Sequence, residues 1–408
     1  MSELSTNKIK PVTQNTLTLG DSGDSIVLGT GATAVGFGSS PVTEDPNDPA
    51  VDTNPADGVG ALWLNTTSGC LFSCTDATTD DNVWINTANC TDIIDQPFSY
   101  QGTISGYTSG GTEVSNQPSS EVVDRFSFSS SSATVDVGNL TVRRDNPSGQ
   151  KSSTHGYTSG GHGGPGLLNT NVIDKFTFSA DADATDVGDL TVNRHASCGQ
   201  SSSTHGYTSG GLSDGDPGIN EDVVDKFSFS SNNDATAHSN LTVARYNISG
   251  HSSDTHGWTT GGTIINQSNT ANSITSNIIE RFSFATQNSE ADIDDLSIAR
   301  ADCSGHSSST DGYSSGGSST AITARIDKFS FSSTTTSTNV GNISLARNGA
   351  AGTSSTTHGY TSGGNTVTST VNHLNTIDRF SYTTAGSDTG TDVGDLSVPR
   401  SSCSGTQV

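Results

Sequence analysis

The sequence predicts an all-β chain: a six-bladed β-propeller, preceded by a small β module and a β-rich N-terminal segment. Three observations lead there. Three short phrases recur six times, in one order, over about three-quarters of the 408 residues. Within the repeats no apolar period of 3.6 residues occurs, and Gly, Ser, Thr and Asn interrupt the chain every 8–12 residues. Each copy has about 50 residues and room for four strands, the size of one propeller blade.

The first phrase is an aromatic followed by a Gly-Gly doublet. The doublets begin at Gly110, Gly160, Gly210, Gly261, Gly316 and Gly363, spaced by 50, 50, 51, 55 and 47 residues. The second is acid-base-Phe: Asp124-Arg125-Phe126, Asp174-Lys175-Phe176, Asp225-Lys226-Phe227, Glu280-Arg281-Phe282, Asp327-Lys328-Phe329 and Asp378-Arg379-Phe380. The third sets an aliphatic four residues before Arg: Leu140/Arg144, Leu190/Arg194, Leu241/Arg245, Leu296/Arg300, Ile343/Arg347 and Leu396/Arg400. A Phe at i and i+2, as at Phe176 and Phe178, puts both rings on one face of a strand. Eleven of the 14 Phe occupy such slots, so the core is concentrated there.

A Ser-rich first strand, a second at GYTSGG, a third at VIDKFTF and a fourth at VGDLTVNR complete each unit. The tail after Arg400 repeats the opening of the phrase after Arg194 and then stops, while the first copy begins near Tyr100, just before its doublet. A last strand lent to the first blade would close the ring and remove an exposed edge. An open solenoid of the same units is the alternative.

Ahead of the propeller (98–408) three parts are distinguishable. Residues 1–40 alternate apolar and polar, with Gly at each break, and are too few to bury a core alone; they are expected to dock on a larger platform or on sister chains. Residues 41–60 carry four Pro and five Asp or Glu, and read as an extended linker. Residues 61–97 hold Trp63, Leu64, Leu71, Phe72, Val83, Trp84 and Ile85, enough for a small β-meander with a hairpin at Thr66-Thr67-Ser68-Gly69.

Composition narrows the function. The hydrophobic fraction is 29%, and 17 Lys+Arg against 42 Asp+Glu leave a formal charge of −25. Phosphate backbones and anionic lipid repel such a chain, so nucleic acid and membrane surfaces are excluded as partners. No apolar run approaches the roughly 20 residues of a spanning helix.

The aromatic-x-x-Gly-Gly phrase, the aromatic strand with its acid, and the Leu with its following Arg resemble the kelch motif. The match is to a divergent form, because the slots nearest the usual Trp hold Val137, Val187, Ala237, Ile293, Val340 and Val393. Residues 8–37 (KIKPVTQNTLTLGDSGDSIVLGTGATAVGF) resemble the opening of bacteriophage tail-fibre proteins, particularly those of marine cyanobacterial phages. Residues 60–85 resemble small β modules that recur along such fibres. The resemblance implies a virion structural protein, attached to other virion proteins through residues 1–97, homo-oligomeric (a trimer in the fibre pattern) and displaying the propeller for host attachment. A purely structural decoration or fibre-joining protein is the alternative.

Candidate chemistry is weighed against the repeat. Twelve of the 17 basic residues occupy two repeat slots, which suits ion pairs tying strands together. His155, His205, His256 and His358 recur in Thr-His-Gly, with Asp311 and Ser105 in the other copies; a place beside the aromatic is favoured over a metal ring. Cys198, Cys303 and Cys403 sit in alternate copies, too far apart to bridge. For Cys70, Cys74 and Cys90, free thiols, one disulfide and a zinc site remain open, with free thiols favoured. The acids at 181–189, with Asp214 and Asp216, read as solvated turns. No nucleophile, base and orienter stand out, so no enzyme activity, cofactor or metal is expected. The segments 112–121, 162–171, 212–222, 263–277, 318–324 and 365–375 share no sequence and should crest one face. From them Asn116, His162, Asp214, Asn266, Gln267 and His373 are the candidate binding residues, with chemistry suited to a surface glycan or protein.

Overall fold

The computed structural model describes residues 42–67, 70–86, 99–113, 119–130, 134–163, 168–214, 218–265, 273–287, 289–333, 336–366, 373–383 and 388–408. Every regular element among them is a strand. The chain divides into two units, Met1–Pro97 and Phe98–Val408. The expected attachment segment, residues 1–40, lies outside the described residues.

In the first unit four strands, β1 (Thr43–Asp45), β2 (Leu62–Asn65), β3 (Leu71–Asp76) and β4 (Val83–Asn86), pair in chain order. Alternation along β3 turns Phe72 and Cys74 inward, where they pack with Ala61, Cys70 and Trp84. Trp63 meets Trp84 edge-on at 5.9 Å. The stretch read as a linker contributes β1, which pairs in parallel with β2. Its polar residues are what hold it: Asp45 accepts from the Asn47 backbone (2.8 Å), and Asn82 donates to Val51 O and Asn54 Oδ1 (both 2.8 Å). Cys70 is disulfide-bonded, against the favoured free thiol, and Cys74 is a buried free thiol.

Among the described residues the second unit contains six sheets, I to VI, each with the expected four antiparallel strands; sheet V adds a fifth, Asp388–Thr389, parallel to its fourth. Sheet II shows the plan: Ser148–Lys151, His155–Ser159, Val172–Thr177 and Thr185–Asp189. Sheets III to VI begin with Cys198–Ser201, Ser249–Ser252, Ser304–Ser307 and Ala351–Ser354. Sheet I takes its first strand from the end of the chain, Ser404–Gln407, paired with Ser105–Ser109. The fourth strands stop at residues such as Asp189, earlier than the sequence suggests, and Asp186 and Asp189 lie on that strand rather than in a turn. The first strands lie side by side in the order II, III, IV, V, VI, I, and that of sheet I returns to that of sheet II.

Each seam between consecutive sheets repeats two devices. One is aromatic: Tyr107 lies 5.6 and 4.9 Å from Phe176 and Phe178 of the next sheet, and Tyr360 of sheet VI reaches Phe126 and Phe128 of sheet I at 5.6 and 4.7 Å. Such offset contacts add to the area the rings bury. The other is ionic. The Arg closing one copy pairs with the acid of the next: Arg144–Asp174 (2.6 Å), Arg194–Asp225 (3.0 Å), Arg245–Glu280 (2.9 Å), Arg300–Asp327 (2.8 Å), Arg347–Asp378, and finally Arg400–Asp124 (3.0 Å). All six pairs are buried. The acid also accepts from a Thr or Ser one residue after the aliphatic, as Asp174 does from Thr141 N (2.9 Å) and Oγ1 (2.6 Å). These added hydrogen bonds offset part of the cost of burying the charges.

At the axis the strands approach as closely as backbone permits. A Cβ on Gly149, Gly199, Gly250, Gly305, Gly352 or Gly405 would lie 2.0–2.3 Å from the carbonyl oxygen of the preceding glycine, and Gly149 meets Gly405. At one end of the axis the N–H groups of Asn146, Ala196, Asn247, Asp302, Gly349 and Ser402 each donate to the preceding member, a hydrogen-bond circuit of 2.5–3.0 Å. At the other end residues 99–101 are pinned: Lys151 Nζ donates to Ser99 O (2.9 Å), Gln407 Nε2 to Tyr100 O (2.6 Å) and Gln101 Nε2 to Ser307 O (3.1 Å).

Candidate binding face

The second strand of each sheet ends at the double glycine. Gly160 (φ 61°) and Gly161 (φ 112°) adopt backbone conformations that side chains disfavour, and a Cβ on Gly160 would lie 2.7 Å from Arg194 O. Free of that clash, Gly161 N–H donates to Arg194 O at 2.8 Å. The loop therefore starts against the connection that leaves its own sheet for the next. Short ladders tie the loop also to the connection that enters its sheet from the preceding one, as in Asp145↔His162, Arg194↔Ser213, Tyr246↔Thr263 and Arg400↔Glu113. Loops and connections share one face, the face opposite Ser99–Gln101.

On that face the structure brings two of the sequence-derived residues together. His162 Nδ1 lies 3.9 Å from Asp145 Oδ2, and its ring stands 5.7 Å from that of His195. Asp214, exposed on the next loop, accepts from Asn169 N at 3.4 Å. Burial pulls the His195 pKa down; His162 acts in the same direction, while Asp145 and Asp214 oppose it. His373 is placed elsewhere, buried between sheets VI and I with Glu113 near enough to oppose the lowering of its pKa by burial. Asn116, Asn266 and Gln267 lie outside the described residues.

Sequence reasoning missed His195, Asn169 and Asn220. His195 Nδ1, Asn169 Oδ1, Asn220 Oδ1 and His373 Nδ1 are buried without a hydrogen-bond partner among the described residues, and all four belong to this face. Buried polar atoms in native proteins are rarely left so. The available signal was uniqueness: the residue after the closing Arg is His only in the second copy, Arg194-His195, whereas the other copies place Asp145, Tyr246, Ala301, Asn348 and Ser401 there. His162, His195, Asn169 and Asp214 together offer donors and acceptors, the chemistry that hydroxyl-rich or peptide ligands require.

The recurring histidines lie at the other end. His155 Nδ1 is 2.8 Å from Thr154 Oγ1, with its ring 6.5 Å from Tyr157. These rings face the seams, whereas glycine backbone lines the axis. The strand register also moves one slot: Asp225 pairs with Ala237, so His238 and not Ala237 corresponds to Val137 and Val187. His238 fills that slot by packing on Tyr207 at 5.3 Å and holding Ser283 O through Nε2 at 2.8 Å. Cys198, Cys303 and Cys403 are free, and burial raises all three pKa values, those of Cys198 and Cys403 to about 12. A thiol held protonated in this way is a poor nucleophile. Among the described residues no group of three or more His, Cys, Asp or Glu is arranged to hold a metal ion.

No protein-family model and no curated protein match the chain. Among solved structures it is similar to YjhT, a kelch-type β-propeller protein, at 12% identity with a TM-score of 0.53; the match covers 65% of this chain and 88% of that one. At this identity the likeness is one of fold.

Proposed function

We propose that the chain is a bacteriophage virion appendage protein of the tail-fibre type, whose six sheets form a six-bladed kelch-like propeller that attaches to a host-surface glycan or protein. One observation carries the reading: within the second unit the described ends of the sequence-divergent loops lie on one face, and residues 99–101 are fixed to the other. A rigid support with its variable loops turned away from its point of entry is the arrangement of a displayed binding surface. The resemblance of residues 8–37 and 60–85 to phage fibre segments supports the virion assignment, and the likeness to YjhT supports the propeller. In this reading residues 1–97 join other virion proteins, sister chains assemble as a homo-oligomer, and the protein resides in the virion. No catalytic step, cofactor, nucleic acid or membrane insertion enters it.

The test is adsorption. Purified full-length chain should bind cyanobacterial cells saturably and should reduce infection by a phage carrying the same protein. A chain that neither binds nor competes removes the adhesion role. Loops found packed against a neighbouring subunit in the intact particle would favour decoration or fibre joining instead.

A further inference from the structure

A cleft of about 700 Å³ opens between sheets I and II, at the end of the seam away from the divergent loops. Its walls include Ile104, Ser105, Tyr107 and Val408 from sheet I, facing Phe178 and Thr154 of sheet II. Ile104 is 63% exposed, unusual for a large aliphatic beside two aromatic rings.

The repeat supplies its own reference for this place. In sheets II, III and VI the second strand opens with His155, His205 or His358, whose ring stands 6.4–6.5 Å from the tyrosine two residues on. Each is preceded by a Thr that bonds the imidazole at 2.7–2.8 Å. In sheet V the slot is Asp311, 3.0 Å from Lys328 Nζ. A Ser just after the first strand, such as Ser152 or Ser202, bonds that tyrosine. Sheet I departs at all three positions, with Ser105 for His, Ile104 for Thr and Val408 for Ser. The imidazole that this slot contributes in sheets II, III and VI is therefore missing beside Tyr107, where the wall is aliphatic, while His155 of sheet II, held by Thr154, borders the cleft.

We propose that this cleft binds a small aromatic ring with a hydrogen-bonding edge, of the imidazole, phenol or indole class. The aliphatic groups of Ile104 and Val408 and the ring of Phe178 offer surfaces for a flat apolar face. The Ser105 hydroxyl offers a partner for the edge, as do the His155 imidazole, bonded to Thr154 Oγ1 at 2.8 Å, and the Arg125 guanidinium, itself 2.8 Å from Asp181. The volume falls in the range of small-molecule sites, and their usual lining is apolar with a few polar groups. This site is independent of the divergent loops, at the opposite end of the unit.

The full chain, labelled at Ile and Val methyl groups, is titrated with p-cresol, 4-methylimidazole and indole, with methyl glucoside as the contrasting arm. The Ile104 and Val408 methyl resonances are expected to shift saturably with the aromatic probes. Ser105→His combined with Ile104→Thr restores residues that other sheets carry; it should weaken binding by about tenfold or more while leaving the melting temperature unchanged. The reverse pair in sheet VI, Thr357→Ile with His358→Ser, should add a second site. Aromatic probes that leave Ile104 unmoved, a Ser105→His variant that binds as tightly as the parent, or binding of the glucoside in their place would each overturn the proposal.

Discussion

Between the sheets, six seams are assembled from the same parts; on the loop face, no two loops are alike. Arg144–Asp174 and Arg400–Asp124 flank sheet I on its two sides and are far apart in sequence, yet both are buried pairs in which the acid also accepts from a Thr or Ser. His162 and His373, in contrast, occupy corresponding loops and have different surroundings: one stands partly exposed beside His195, the other is buried near Glu113. The difference teaches which residues are bound to the architecture. A group present in every copy answers a demand made by every seam, and what is present once is free to answer a ligand.

The severest way to break that contrast is to remove one acid from a seam. Asp174→Ala leaves Arg144 charged and without its counter-ion in the interior, and should cost about 3–5 kcal/mol in denaturant unfolding. A change below about 1 kcal/mol would show that the pair is not structural. Next comes the axis: Gly250→Ala drives a methyl to 2.3 Å from Gly199 O, and overpacking of this kind should cost about 1–3 kcal/mol.

A third test sharpens the comparison through pH. His251 and His306 take the slot that Gln150 and Gln200 fill in sheets II and III. Burial lowers their pKa values to about 3 and about 4, from 6.5. Between those limits the unfolded chain binds more protons than the folded one, so their contribution is complete above pH 6.5 and is lost as pH falls toward 4. His251→Gln with His306→Gln should flatten the fall of melting temperature over that window. Asp302, raised by burial to about 6, acts in the opposite sense below that pH, and its effect should persist in the double variant. The smallest effect on stability belongs to the loops. His162→Ala with Asp214→Ala should change it by less than about 0.5 kcal/mol, while lowering cell binding in the adsorption assay.

Much of the scaffold was legible because it repeats. The period located the strands, the Phe pairs located the core, and both basic slots were read as ties, which the Arg after each aliphatic is in six buried Arg–acid pairs. The Thr or Ser at Thr141 and its counterparts was passed over, since a hydroxyl in a chain rich in Ser and Thr has no contrast against its background. His238 was set one slot off because the copies differ by single insertions, and only strand pairing fixes the register. The site was less legible. His162 and Asp214 were singled out for their polarity, but their meeting at His195 depends on a turn of one sheet against the next, which no local pattern encodes. Thr43–Asp45 was read as linker because its partner, Trp63–Asn65, supplies from outside the order that its own composition lacks.

The glycines at the axis carry an evolutionary consequence. With six carbonyl oxygens already pressed against six α-carbons, deleting one copy would force backbones into each other, and duplicating one would leave a bore that hydrogen atoms cannot plug. Innovation by unequal recombination is thereby penalised, and descendants of this gene must diversify at the periphery, by lengthening and rewriting what protrudes.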